Sequence, residues 1–174
     1  NDVPLIVPSI NDEQLVVLQR NIVSLPDPQV TQFVFSVSQF ARENMLSQVL
    51  VTSLLPASYI DSDTVNKLAG QTAQLLNGIP LDEEQQRLAF DVFPSPKSTA
   101  SLAAQVEKIF PQLSNVIFHQ VHVPVFYGMA QMVTLRSEYE FDAQAQLQAW
   151  EANELVDYCE ASALTPVTNG EAEA

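Results

Sequence analysis

Very few side chains in this sequence could do chemistry. His119 and His122 are its two histidines, Cys159 is its one cysteine, and acidic groups gather at Asp61/Asp63 and at Asp82-Glu83-Glu84. The histidines lie in VIFHQVHVPVF, which reads as a strand. Three residues of separation put them on opposite faces, so they cannot share a metal ion. No carboxylate pair brackets them, and a metal site needs three or four ligands together. Asp61 and Asp63 stand just before a helical pattern, where capping is the plain reading. The 82–84 run reads as solvated surface. A single cysteine rules out an internal disulfide and a thiolate metal site, and a thiol reacts only in an electropositive setting. Four glycines in the whole chain leave no room for a phosphate-cradling loop. That leaves VHVPVFYGMAQMVTL (121–135), where Met129 follows Gly128 between two apolar runs. Such a junction commonly presents a side chain to a pocket, yet a thioether neither carries a proton nor binds a charge.

The elements that would position these groups follow from periodicity. VPLIV (3–7) reads as a short buried strand, NDEQLVVLQ as a small helix capped by Asn11, and NIVSL (21–25) as a second short strand. Val30, Phe33, Val34, Val37, Phe40 and Ala41 recur at helical spacing, with Asp27 as cap and Pro28 as first helical residue. QVLVTSLL (48–55) is a strand. A second helix carries Val65, Leu68, Thr72, Leu75 and Leu76 on one face and stops at Gly78. LAFDVF (88–93) reads as a strand, PSPKSTAS as a loop, and Leu102, Val106, Ile109 and Phe110 mark a third helix. Residues 115–126 and 131–138 read as two long strands joined through a Tyr127-Gly128 turn. FDAQAQLQAWEAN is a helix capped by Asp142, ELVDY a final strand, and the chain after Glu160 a tail. Two long consecutive strands of period two favour an α+β fold, a mixed sheet with helices packed on one face. Apolar residues on both parities of those strands imply that another subunit covers the second face.

Composition narrows the function classes. Of 174 residues, 47% are hydrophobic, which is ample for one core. Seven Lys and Arg oppose 21 Asp and Glu, giving a net charge of −14. That balance argues against a nucleic-acid surface and against an anionic membrane. No signal peptide is recognisable, and no apolar run approaches the roughly 20 residues that span a bilayer. A cytoplasmic location is expected. The start without Met, in what reads as mid-strand, suggests a piece of a longer protein.

Six segments in order resemble the C-terminal part of the aspartate-semialdehyde dehydrogenase superfamily, and LLNGIP and VPVFYG-x-AQMV look most like its Usg subfamily. They are VPLIVPSIN (3–11), NIVSLPDPQVTQ (21–32), VLVTSLLPAS (49–58), LAGQTAQLLNGIPLDEE (68–84), LAFDVFP (88–94) and HVPVFYGMAQMV (122–133). The resemblance implies a fold like the dimerisation domain of semialdehyde and glyceraldehyde-3-phosphate dehydrogenases. Residues 1–26 would be the closing strands of an N-terminal Rossmann domain, 27–160 the dimerisation domain, and 161–174 a tail or linker. It also implies NADP bound by the full-length protein and no cofactor held by these residues alone. In such dehydrogenases a cysteine thiolate at a helix N-terminus attacks the aldehyde, hydride passes to NADP, and phosphate resolves the thioester.

Carried over position by position, that machinery is missing. The family's N-P-N-C matches Leu25-Pro26-Asp27-Pro28, so Pro28 stands in the nucleophile's place, while Gln32 matches a glutamine often found there. In the family's R-V-P-V-x-x-G-H the substrate-gripping arginine is His122 and the acid–base histidine is Met129. A small-residue S-G-A-G loop matches Ser58-Tyr59-Ile60-Asp61, and an E-E-x-K segment falls near Ser98 to Ser101. The expectation is a non-catalytic homologue that forms a homodimer and binds a dinucleotide or a partner. The alternative is an active aldehyde or semialdehyde oxidoreductase with non-cysteine chemistry. A third reading is a mixed dimer with a true dehydrogenase.

Overall fold

The computed structural model describes residues 3–16, 18, 21–154, 156–159 and 165. In chain order its elements are α1 (Pro28–Glu43), β1 (Leu46–Leu55), α2 (Ser62–Leu76), β2 (Phe93–Pro94), α3 (Ala100–Ile109), β3 (Val116–His122), β4 (Ala130–Ser137) and α4 (Ala143–Glu151). The strands form one sheet in the order β2-β3-β1-β4. β2 pairs antiparallel with β3. β1 and β3 run parallel, since the bonds from Val123 N to Leu55 O and from Ala57 N to Val125 O advance along both strands together. β1 and β4 run antiparallel, with Glu138 N on Met45 O and Ser47 Oγ on Arg136 O. The expected α+β architecture with a mixed sheet is what the chain adopts.

The described residues divide into two compact units, one drawn from those within 3–51, 98–118 and 133–159, the other from 52–97 and 119–132. In the first, α1 starts as its sequence dictates. Asp27 Oδ1 accepts the Gln29 amide at 2.9 Å, and Pro28 occupies a first-turn position whose N–H would lack a helical partner. Val30, Phe33, Val34, Val37 and Ala41 then bury one stripe against Val49 and Val51 of β1, Val116 and Phe118 of β3, and Leu102, Val106 and Ile109 of α3. Val133 and Leu135 of β4 pack against the same core. Phe33 is fully buried and meets Phe118 edge-on, centroids 5.8 Å apart at 80°. Replacing Phe33 by Ala should therefore cost about 3–5 kcal/mol of unfolding free energy, read from urea denaturation. A loss under about 1 kcal/mol would contradict this packing.

In the second unit α2 is capped by Asp61, whose Oδ1 accepts the Thr64 amide and hydroxyl, both at 2.7 Å. Its end is a Schellman turn, with Ile79 N on Gln74 O, Gly78 N on Leu75 O, and Gly78 at φ 70°. Leu68 packs with Ala57 and Ala89, and Val65, Leu75 and Leu88 pack around them.

Several expectations need correction. The 3–7 and 21–25 segments are not strands but a single parallel bridge, Leu5 to Ser24. Asn11 does not cap the short 3-10 turn Asp12–Leu15. It is 1% exposed and turns back, accepting the Val7 amide and donating to the Leu5 carbonyl, each at 2.8 Å. Leu76 is 74% exposed, and Gln71 takes the buried place on α2. LAFDVF is no strand beyond Phe93: the Gln71 side chain accepts the Leu88 and Ala89 amides and donates to the Gln86 carbonyl, folding 86–89 into a turn. Residues 115–126 shorten to β3, the 131–138 strand keeps its length but begins one residue earlier as β4, and the two do not form a hairpin, because β1 lies between them. Of ELVDY, residues 154 and 156–158 are not in a strand, and position 155 lies outside the described residues, as does nearly all of the expected tail.

Candidate functional site

In the first unit Pro28, the residue expected at the nucleophile's place, is exposed at the opening of α1. The helix N-terminus is intact: the Asp27 carbonyl accepts from Thr31 N at 2.9 Å and Thr31 Oγ1 at 3.2 Å, and the Asp27 amide donates to Gln105 Oε1 at 2.7 Å. A thiolate here would gain from the dipole. Proline offers neither a nucleophilic atom nor an N–H. Gln32, one turn on, is exposed. The Ser98–Ser101 segment, leading into α3, carries hydroxyls and no charge, with the Ala100 amide on Ser98 Oγ at 3.4 Å.

In the second unit, Ser58 to Asp61 form a 3-10 turn and the cap of α2. Hydrogen bonds from the Thr64 hydroxyl and amide hold the Asp61 carboxyl below its ordinary range, so this acid is committed to capping. Asp63, by contrast, lies inside the first turn. His122 ends β3, paired with Phe93 of β2, and the two rings stack with centroids 5.1 Å apart at 27°. His119 points the other way and is exposed, as strand parity requires. Beside His122 runs a narrow crevice with only about 10 Å³ of free volume, walled by Leu55, Ile60, Thr64, Leu68, Phe93 and Val123. Burial, and to a lesser degree the positive charge of Lys97, depress the His122 pKa. The imidazole is thus kept neutral where an arginine would be cationic, and it has no guanidinium fork. Met129 is half-buried, between Gly128 at φ 83° and the start of β4.

The sign of that shift fixes a pH dependence. The neutral form is favoured by folding, so His122 contributes stability above its unfolded pKa near 6.5 and loses it as pH falls toward the lowered folded value. The thermal midpoint should drop between pH 7 and pH 5, and His122→Gln should flatten that part of the curve. An unchanged slope in the variant would remove His122 as the cause.

Sequence reading missed one polar feature here. Ser53 on β1 is fully buried and its Oγ accepts Gln131 Nε2 of β4 at 3.0 Å. The signal was available in parity: Phe118, Gln120 and His122 alternate on one face of β3. Among the described residues no group of three His, Cys, Asp or Glu side chains could hold a metal ion, and Cys159 is exposed.

Solved structures share this architecture. Aspartate-semialdehyde dehydrogenase II from Vibrio cholerae superposes with a TM-score of 0.88 and 28% identity, covering 95% of this chain and 54% of that one. A probable aspartate-semialdehyde dehydrogenase from Pseudomonas aeruginosa gives 0.87 at 22% identity, a likeness of fold. No family model matches the chain. By fold and sequence the chain is similar to the aspartate-semialdehyde dehydrogenase superfamily, and it spans about half the length of the curated relatives it matches. Its likeness is of the Usg type. It is 56% identical over 174 residues to the USG-1 protein homolog of Haemophilus influenzae, covering 99% of this chain and 52% of that protein.

Proposed function

We propose that this chain is the dimerisation half of a cytoplasmic, non-catalytic homologue of aspartate-semialdehyde dehydrogenase. Residues 1–26 would close a Rossmann domain that binds NADP, and 27–160 would form the subunit contact. The observation that carries the reading is Pro28 at the N-terminus of α1, where the dehydrogenase chemistry needs a thiolate. His122 and Met129 at the arginine and acid–base positions support it, because neither can fork a carboxylate and protonate an aldehyde oxygen at neutral pH. The role that remains is assembly, with a dinucleotide or a protein partner bound through the rest of the molecule.

Dimerisation is supported strand by strand. Along β1, Val49, Val51, Ser53 and Leu55 are buried, while Leu50, Thr52 and Leu54 keep partial exposure. Ile117 of β3 is 45% exposed and Met132 of β4 is 60% exposed, each on the parity opposite to the core residues of its strand. Apolar side chains so placed are typical of a covered interface. The test of the catalytic half of the reading is turnover by the full-length protein with aspartate semialdehyde, NADP and phosphate. A mixed dimer with an active dehydrogenase is a second reading, supported by the shared fold with the Vibrio cholerae enzyme. Co-purification or subunit exchange decides between the two assemblies.

A further inference from the structure

Row by row, the helix-facing side of the sheet changes character within a few residues. The bond from Val123 N to Leu55 O in a parallel ladder sets Leu55 opposite His122. One step back on the same face, Ser53 of β1 therefore stands opposite Gln120 of β3, and on the other side Ser53 holds Gln131 of β4. Three uncharged polar side chains thus lie abreast on three adjacent strands.

The hydrogen bonds of this row are incomplete at Gln120. Gln131 Nε2 donates to Ser53 Oγ, which leaves the Ser53 hydroxyl proton available as a donor. Gln120 Oε1 is buried and has no hydrogen-bond partner among the described residues. A buried acceptor left in that state costs free energy comparable to a lost hydrogen bond, and such atoms in native proteins find a partner. No charged group is needed to account for the row. A carboxylate would face the Gln120 oxygen, an acceptor against an acceptor, and an ammonium would find no anion beside it.

We propose that Gln120 and Ser53 form a binding site for one neutral hydroxyl group, two residues before His122 on the same face of β3. The group donates to Gln120 Oε1 and accepts from the Ser53 hydroxyl, so that hydrogen bonds run without a break from Gln131 through Ser53 to Gln120. A water molecule and the alcohol of a small ligand share this chemistry, and the site is independent of whether the protein is catalytic.

A crystal structure of the full-length protein, refined to about 1.5 Å, tests it. The expected result is density within about 3 Å of both Gln120 Oε1 and Ser53 Oγ. An isolated peak that survives unfolding and refolding in ligand-free buffer identifies water. Density continuous with a larger group, lost on that treatment, identifies a ligand alcohol. Gln120 bonded directly to a protein group, with no density between, overturns the proposal. Thermal denaturation gives a second reading. Gln120→Leu should lower the midpoint by about 2–4 °C, and by clearly less in a Ser53→Ala background, where the bridging group has already lost one partner. A raised midpoint in Gln120→Leu, with additive effects, also overturns it.

Discussion

Full-length protein mixed with aspartate semialdehyde, NADP and phosphate should reduce the cofactor no faster than a blank without protein. Pro28→Cys alone should leave the rate there. The variant restores a thiol to the start of α1, at a helix end whose dipole would lower its pKa. It restores nothing at Met129, and a missing general acid–base costs roughly 100- to 10,000-fold by itself. It also leaves His122 neutral beside an apolar crevice, where the substrate carboxylate would need a cation. The triple variant Pro28→Cys, His122→Arg, Met129→His is the informative comparison. It should gain thiol reactivity toward an alkylating reagent at residue 28 while its turnover stays far below that of an active dehydrogenase, since Ser58 to Asp61 now form a turn and a helix cap. Turnover by the unmodified protein would sink the non-catalytic reading and favour an oxidoreductase using other groups.

The second large effect concerns assembly. The 19.2 kDa chain should run in light scattering at twice that mass at micromolar concentration. A stable protein contact buries about 800 Å² on each partner. Lysine placed within such a contact leaves an unpaired buried charge, which costs several kcal/mol, or at least about 100-fold in dissociation constant. Met132→Lys and Ile117→Lys, each alone, should therefore give monomers. Both side chains are largely exposed in the single chain, so the variants should keep their helix content and core. A monomeric parent protein, or variants that stay dimeric, would remove these strand faces from the interface.

What could be read from sequence was what lies close along the chain. The start and the buried stripe of α1 were legible because its cap, its proline and its apolar residues lie close along the chain. The proposed departures at Pro28, His122 and Met129 rest on short motifs for the same reason. Where a partner came from elsewhere the reading failed. Asn11 has the right side chain for a helix cap, but its partners lie behind it at Leu5 and Val7. LAFDVF has the composition of a strand, yet Gln71, some 17 residues earlier, turns it, and Phe90 adopts φ 59°. The Tyr127-Gly128 turn signals a reversal, not which strand receives the chain next. The row of Gln120, Ser53 and Gln131 spans three strands and could only be assembled by the sheet.

That β1 lies between β3 and β4 also bears on how this chain is made. On a ribosome, β1 is complete at Leu55, while both of its neighbours are still unwritten. One arrives only with Val116–His122 and the other with Ala130–Ser137. For more than 60 residues of synthesis the apolar segment LSQVLVTSLL waits with two open edges, the condition in which strands recruit one another between chains. Any nascent chain stopped before Ala130 keeps one of those edges for good. Selection on the emerging polypeptide, independent of any finished activity, would thus act on the residues that close the sheet.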